Sequence, residues 1–369
     1  MKPYSSSYHE ARQRFLTATA DADIHCSDTI VDDLTIDTAI YEAPDPHTVL
    51  VIVSGTHGVE GYSGSAVQLH FLDRFRSRLN DRTTLVLIHA LNPYGFAHDT
   101  RVNHHRVDLN RTFCDRPEAC TTGNASIDAA FDTLYPLLTP KRPRGNERVE
   151  SLRFYANIVP TVLRSKITGT YGALKNAIAG GQYRYPDAPF YGGKGDEPEV
   201  AIFHRILSRI SEGYERLLLL DCHTGLGRRG EAVYVSANPP DSDPFRQLQK
   251  VEPAFSSIVA DDIGDKEAYD ASGTLIQYAL RHSRAKSSSV FAIDIGTIPA
   301  LPLLKRIVAE NQVHHHPETP EPIARKVRHD FREGFYPSET KWRDDTLKIY
   351  HDFLEKLLKS FQLIKEQPQ

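Results

Sequence analysis

The chain has 369 residues, of which 40% are hydrophobic and 25% charged, with a formal net charge of -4. These are ordinary values for a globular protein long enough to bury a large core. No block of Lys and Arg calls for nucleic acid or an anionic membrane, and no apolar run approaches the ~20 residues that span a bilayer. Four cysteines (Cys26, Cys114, Cys120 and Cys222) are too irregularly spaced for a disulfide framework, and reduced thiols are expected.

The first residues, MKPYSSSYHEARQRFL, lack the continuous apolar core of a secretory signal, so a cytoplasmic protein is expected. Asp28–Ala43 alternates apolar and polar residues and predicts an edge hairpin or meander. Val49–Val53 reads as a buried strand, and residues 60–79 as a helix with Val67, Phe71 and Phe75 on one stripe. Leu85–Ala90 is a second buried strand. The stretch 112–198 is the least sheet-like. It reads as an insertion, helical around 150–178, within a single domain spanning 1–369. A helix follows over 199–213, with Ile202, Ile206 and Ile210 on one face. Leu217–Leu220 and Val290–Ile293 are further strands. Thr274–Arg281 and Leu301–Glu310 read as helices, and residues 340–362 as a closing helix carrying Leu354, Leu357 and Leu358. Strands without polar alternation are covered on both faces. The fold class is therefore α/β: a mixed, mostly parallel twisted sheet with helices on both faces.

Sites in such sheets form beyond the carboxyl ends of strands. The first strand runs into SGTHGVEG, with His57 and Glu60; the third runs into Asp221-Cys222-His223; the fourth runs into Asp294. Two imidazoles and one carboxylate make a catalytic zinc set, with a fourth position left for water. The three-residue spacing places His57 and Glu60 on one face of a first helical turn, and His223 closes the set from a neighbouring strand. A separate carboxylate, Asp294, is the candidate proton acceptor. H-x-x-E by itself is a weak signal. Ser54 lies near His57, but SGTHG lacks the G-x-S-x-G elbow of a serine hydrolase. His314-His315-His316 reads as an exposed polar helix end.

The loop after the second strand holds Thr100-Arg101-x-Asn103 and Val107-Asp108-Leu109-Asn110-Arg111-Thr112-Phe113. With it, roughly residues 45–310 resemble the zinc carboxypeptidase superfamily, including its aspartoacylase and succinylglutamate desuccinylase branch. SGTHGVEG, HALNPYGF, VDLNR, GGQYRYP, FYGG and DCHTGLG bring the chain closest to the uncharacterised bacterial family DUF2817. The resemblance implies a zinc carboxypeptidase-like fold and one Zn2+ per chain on His57, Glu60 and His223. It implies that Asp108 holds the first zinc histidine in its tautomer, a role that stands beside that of a loop-capping aspartate. Arg101 would steady an oxyanion, and Asn110 with Arg111 would grip a substrate carboxylate. Tyr269, in YDASG, resembles a tyrosine loop that closes over substrate. Tyr183 and Arg184, in AGGQYRYPDAPFYGG, are expected to shape the pocket.

The departure is Asp294, where the superfamily normally carries Glu. One methylene less either brings the backbone closer, slows the enzyme, or leaves a zinc- and ligand-binding protein that does not turn over. The expected activity is hydrolysis of an amide bond beside a free carboxylate, in a short peptide or an N-acyl amino acid. Neither nucleic acid nor membrane is an expected partner, and oligomeric state is not legible.

Overall fold

The computed structural model describes residues 3–115, 124–258 and 273–365. Among them, eight strands form one sheet: β1 (Ile24–Val31), β2 (Leu34–Tyr41), β3 (Thr48–Ser54), β4 (Thr83–His89), β5 (Arg216–Gly225), β6 (Ala232–Ser236), β7 (Ser256–Ser257) and β8 (Ser287–Gly296). Their order is β1-β2-β4-β3-β5-β8-β6-β7. The four apolar runs supply the centre, where β4, β3, β5 and β8 are mutually parallel. The expected edge hairpin is β1 and β2, antiparallel to each other, with β2 antiparallel to β4. On the other side β6 runs antiparallel to β8, with the short β7 parallel to β6. The sheet is thus mixed and mostly parallel, as the sequence predicts.

The helices are α1 (Tyr8–Ala18), α2 (Gly61–Arg74), α3 (Pro93–Ala97), α4 (Ala125–Leu138), α5 (Glu147–Ile167), α6 (Tyr171–Ala179), α7 (Pro198–Ser211), α8 (Asp243–Val251), α9 (Leu275–His282), α10 (Ala300–His315), α11 (Glu321–Phe335) and α12 (Thr340–Ser360). They cover both faces. Leu50, Ile52, Leu218, Leu220 and Ile293 pack under α1, α2, α8 and α12. Val49, Val51, Val53, Leu217, Leu219 and Val290 pack under α7 and α9. Successive strand residues point to opposite faces, so one uninterrupted apolar run feeds both cores.

The helix expected around 150–178 is two helices, broken at Gly169, whose φ of +72° continues no right-handed helix. Within the 112–198 stretch, α4 and α6 bring Phe131, Leu134 and Leu174 onto Leu304 and Val308 of α10. The thiol expectation is corrected at one position: Cys114 is disulfide-bonded, while Cys26 and Cys222 are free. No described helix is long and apolar enough to cross a membrane.

Candidate active site

Register decides what the strand ends deliver. In the β5–β8 pair, His223 lies opposite Asp294 and Asp221 opposite Ala292. Residues two apart share a face, so Asp221, His223, Ala292 and Asp294 all emerge on the side of the α7–α9 core. β3 lies on the other side of β5 and runs into the loop carrying His57. A 3-10 turn, Gly58–Glu60, then swings Glu60 back beneath His57 before α2 begins. Gly58 is required there by space: a Cβ would lie 2.1 Å from the Gly95 carbonyl carbon. The close approach lets Gly58 and Val59 donate backbone N–H groups to the Arg101 and Thr100 carbonyls, locking the two loops together.

The three expected ligands converge. One donor atom each from His57, Glu60 and His223 lie within 4.8 Å of one another, and all three residues are buried. Nδ1 of His57 is 2.9 Å from Glu60 Oε1, and Nδ1 of His223 is 2.9 Å from Glu60 Oε2. The opposite nitrogens are held from behind. His57 Nε2 lies 3.1 Å from Asp108 Oδ1, and His223 Nε2 lies 2.7 Å from Asp221 Oδ2. A carboxylate at Nε2 fixes the proton there and leaves the Nδ1 lone pair for a metal.

Charge points the same way. Three buried carboxylates, Glu60, Asp108 and Asp221, surround the two imidazoles, with Arg101 paired to two of them. Buried carboxylates of this kind are normally paired or metal-bound. The donor set therefore fits a metal ion.

The same crowding sets the protonation of the carboxyls. Burial opposes ionisation of Glu60, but His57 and His223 outweigh it and hold the group below the usual carboxylate range. Burial likewise opposes ionisation of Asp108, which Arg101 and His57 hold well below its ordinary value. His223 is driven well above the usual imidazole value, burial being overcome by Asp221 and Glu60. Asp294 moves the other way. Burial, then repulsion from Glu60, raises it to about 7, and the Leu226 N–H donates to its Oδ1 at 2.7 Å.

Asp108 makes contacts in two directions. It faces His57, and its Oδ1 also accepts the Asn110 N–H at 3.1 Å, capping the turn Leu109–Arg111. Arg101 donates Nε to Asp108 at 2.9 Å and Nη1 to Glu60 at 3.3 Å. Arg111 is only 1% exposed, and Asn110 Oδ1 accepts the Leu275 N–H at 2.9 Å. That backbone bond fixes the amide orientation, so the Asn110 NH2 is the outward donor. His57, Arg101, Asn110, Arg111, His223 and Asp294 line one cavity of about 220 Å³.

Two expected residues behave differently. Tyr183 donates its hydroxyl to the Arg111 carbonyl at 2.6 Å, supporting the turn rather than lining the cavity. Gly181, with φ of +96°, lies flat on the Arg111 side chain, where a Cβ would come within 2.6 Å of Cδ. Arg184 is not brought to the site. It is mostly exposed and pairs with Asp132 at 3.0 Å, because the turn after Gln182 directs it to solvent. Tyr269 lies outside the described residues. Asp221 was missed as a site residue. Its position two residues before His223 on the same strand was the available signal, since that spacing shares a face.

Among solved structures, the chain is similar to a metallo-carboxypeptidase from Burkholderia cenocepacia, at 11% identity over 98% of this chain and 70% of that one, with a TM-score of 0.47. It is also similar to bovine thrombin-activatable fibrinolysis inhibitor, solved with tick carboxypeptidase inhibitor, at 13% identity over 89% and 99%, TM-score 0.46. A third is a metallo-carboxypeptidase from Pseudomonas aeruginosa, at 14% identity over 95% and 70%, TM-score 0.43. No curated protein matches the chain. A family described as "Protein of unknown function (DUF2817)" matches residues 4–349, nearly the whole length, and the chain belongs to that family.

Proposed function

We propose that this protein is a zinc-dependent hydrolase that cleaves an amide bond next to a free carboxylate, in a short peptide or an N-acyl amino acid. One observation carries the reading: the two histidines of a His-Glu-His donor set, the Asp294 carboxyl and the Asn110–Arg111 pair all line a single cavity.

His57, Glu60 and His223 would hold the ion, with Asp108 and Asp221 orienting the imidazoles. Zinc, when bound, supplies Lewis acidity and lowers the pKa of water to about 7. Asn110 and Arg111 bind and orient the substrate carboxylate, Arg through its planar fork. Asp294 takes the proton of the attacking water and returns it to the leaving amine. Arg101 holds the carbonyl oxygen as charge develops on it. Asp294 reaches from the strand beside His223, directly opposite it in register.

The test is release of free amino acid from dipeptides and from N-acyl amino acids by the zinc-loaded chain. Cleavage of either class that Asp294→Asn abolishes supports the reading. No cleavage of either, with zinc bound at one per chain, refutes it and leaves a ligand-binding protein.

A further inference from the structure

The basic run Lys141-Arg142-Pro143-Arg144 connects α4 to α5 and contributes nothing to the lining of the candidate active site. Three of its residues line a separate cavity of about 450 Å³, bounded by the end of α4, by α5 and by α10. The two cavities have no lining residue in common. Five cations line this one: Lys141, Arg142, Arg144, Arg153 and Lys305. They are graded in exposure. The Arg144 side chain is 4% exposed and that of Lys305 22%, while Arg153 and Lys141 are mostly in water. Pro136, Leu137, Phe154 and Val308 supply apolar lining.

These charges are unevenly met. Glu147 is shared by Arg144, at 2.8 Å, and Lys305, at 2.9 Å. Glu150 is shared by Arg142, at 2.6 Å, and Arg153, at 3.2 Å. Lys141 pairs with Asp187. Among the described residues, the ion pairs of five cations therefore run to three carboxylates. Burial opposes ionisation of Glu147, yet Lys305 and then Arg144 bring it down to about 2, as a positive surrounding requires. Donors remain for a ligand. Lys305 Nζ gives hydrogen bonds to Glu147 and Ser151, which leaves one N–H of its ammonium. Arg153 gives one, from Nη1 to Glu150, which leaves most of its guanidinium fork. A cleft lined by one sign of charge concentrates counter-ions of the other.

We propose that this cavity binds a phosphate-bearing small molecule, with the phosphate among the cations and the organic body against Pro136, Leu137 and Phe154. A phosphate monoester carries a charge of about -1.5 to -2 at pH 7 and three acceptor oxygens, which suits a cavity with more cations than carboxylates. The Arg fork and the Lys point charge both bind phosphate. A single carboxylate brings less charge, and Glu147 and Glu150 already supply that chemistry. The volume lies within the roughly 300–1,000 Å³ of small-molecule sites. The cations converge on a concavity rather than spread over a flat face, which favours a small molecule over a bilayer.

The test is calorimetric titration of the full-length, zinc-loaded chain with adenosine monophosphate, phenyl phosphate, inorganic phosphate, citrate and adenosine, beside sedimentation with vesicles containing phosphatidic acid. At least one of the two organic phosphates should bind more tightly than inorganic phosphate, citrate or adenosine. Lys305→Gln should weaken that binding by about 10- to 100-fold, the loss of one charge-assisted hydrogen bond. Arg153→Gln, at an exposed position, should weaken it by about 2- to 5-fold. Thermal unfolding checks that each variant folds, and should Lys305→Gln fail to fold, Arg153→Gln carries the same test. No binding of either organic phosphate, or affinity no better than that of inorganic phosphate or citrate, overturns the proposal. So does binding that the folded variants leave at the wild-type level, since the phosphate then sits elsewhere, the candidate active site included. Capture on the vesicles without binding of the soluble phosphates overturns it in favour of a lipid surface.

Discussion

Asp221 offers the sharpest test of the site's construction, because it is not one of the three converging donors and it bears directly on His223. It is 1% exposed, with Oδ2 2.7 Å from His223 Nε2 and Oδ1 accepting from Thr56 Oγ1. Asp221→Asn keeps the shape and removes the charge. The amide oxygen can still accept from Nε2–H, while the NH2 donates to the Thr56 hydroxyl, which turns around. The required tautomer survives, and what is lost is the carboxylate's reinforcement of imidazole basicity. Changes of this kind weaken metal binding by about 10- to 100-fold, equivalent to ~1.4–2.8 kcal/mol. Asp221→Ala should be worse. It leaves a buried N–H with no acceptor, adding a penalty of about 1–3 kcal/mol. Thr56→Val keeps the carboxylate beside His223 and should lose less than either. The assay is competition for zinc against a chromophoric chelator at fixed pH, with thermal unfolding of each variant. Wild-type zinc affinity in Asp221→Asn would refute the account, since the variant would then show that Asp221 does nothing for His223.

Asp294→Asn should lower kcat by about 10²–10⁴ while zinc content stays at the wild-type level, because Asp294 is not one of the three donors. Matched loss of zinc and activity would show that it acts as a ligand instead. Arg111→Lys keeps the charge but gives up the planar fork. KM for carboxylate-bearing substrates should rise by about 10- to 100-fold, read from initial rates, with kcat affected much less. Glu199 is buried beside Asn103 and Glu197, and burial raises it to about 7 from 4.5. The native state therefore keeps a proton that the unfolded chain has lost between those values, and its contribution to stability falls as pH rises through that window. Relative to wild type, Glu199→Gln should gain roughly 1.4 kcal/mol per pH unit from about pH 4.5 to 7 in urea unfolding. A pH-independent difference would refute the assignment. His89 has the opposite sign. Burial lowers it to about 4 from 6.5, so its contribution is lost as pH falls through that range, and His89→Gln should flatten the acid limb of the stability profile.

The sequence alone determined the sheet's centre and named the three residues, His57, Glu60 and His223, whose donor atoms converge. Val49–Val53, Leu85–Ala90, Leu217–Leu220 and Val290–Ile293 carry so much β-branched and leucine content, without polar alternation, that only strands buried on both faces suit them. Three of them run at once into His57, Asp221 with His223, and Asp294, and that local order is a one-dimensional fact. The helices α1, α8 and α11 and the strand β6 were not read: α1 is weakly patterned and β6 is short, while α8 and α11 carry clear apolar stripes that the sequence did offer. What only the tertiary structure decided is relative placement. The β5–β8 register sets His223 beside Asp294 and Asp221 beside Ala292, and no feature of either segment alone fixes that pairing. Arg184 and Tyr183 are neighbours in sequence, yet one turn sends the first to Asp132 and the second under the Arg111 carbonyl. Part of the cavity's lining is drawn from β6 (Val235), the residue after β7 (Ile258), α9 (Ile276) and β8 (Ala292). Its members are separated by long stretches of chain, and hydrophobic residues at such positions look like any other core until the sheet order brings them to one cavity.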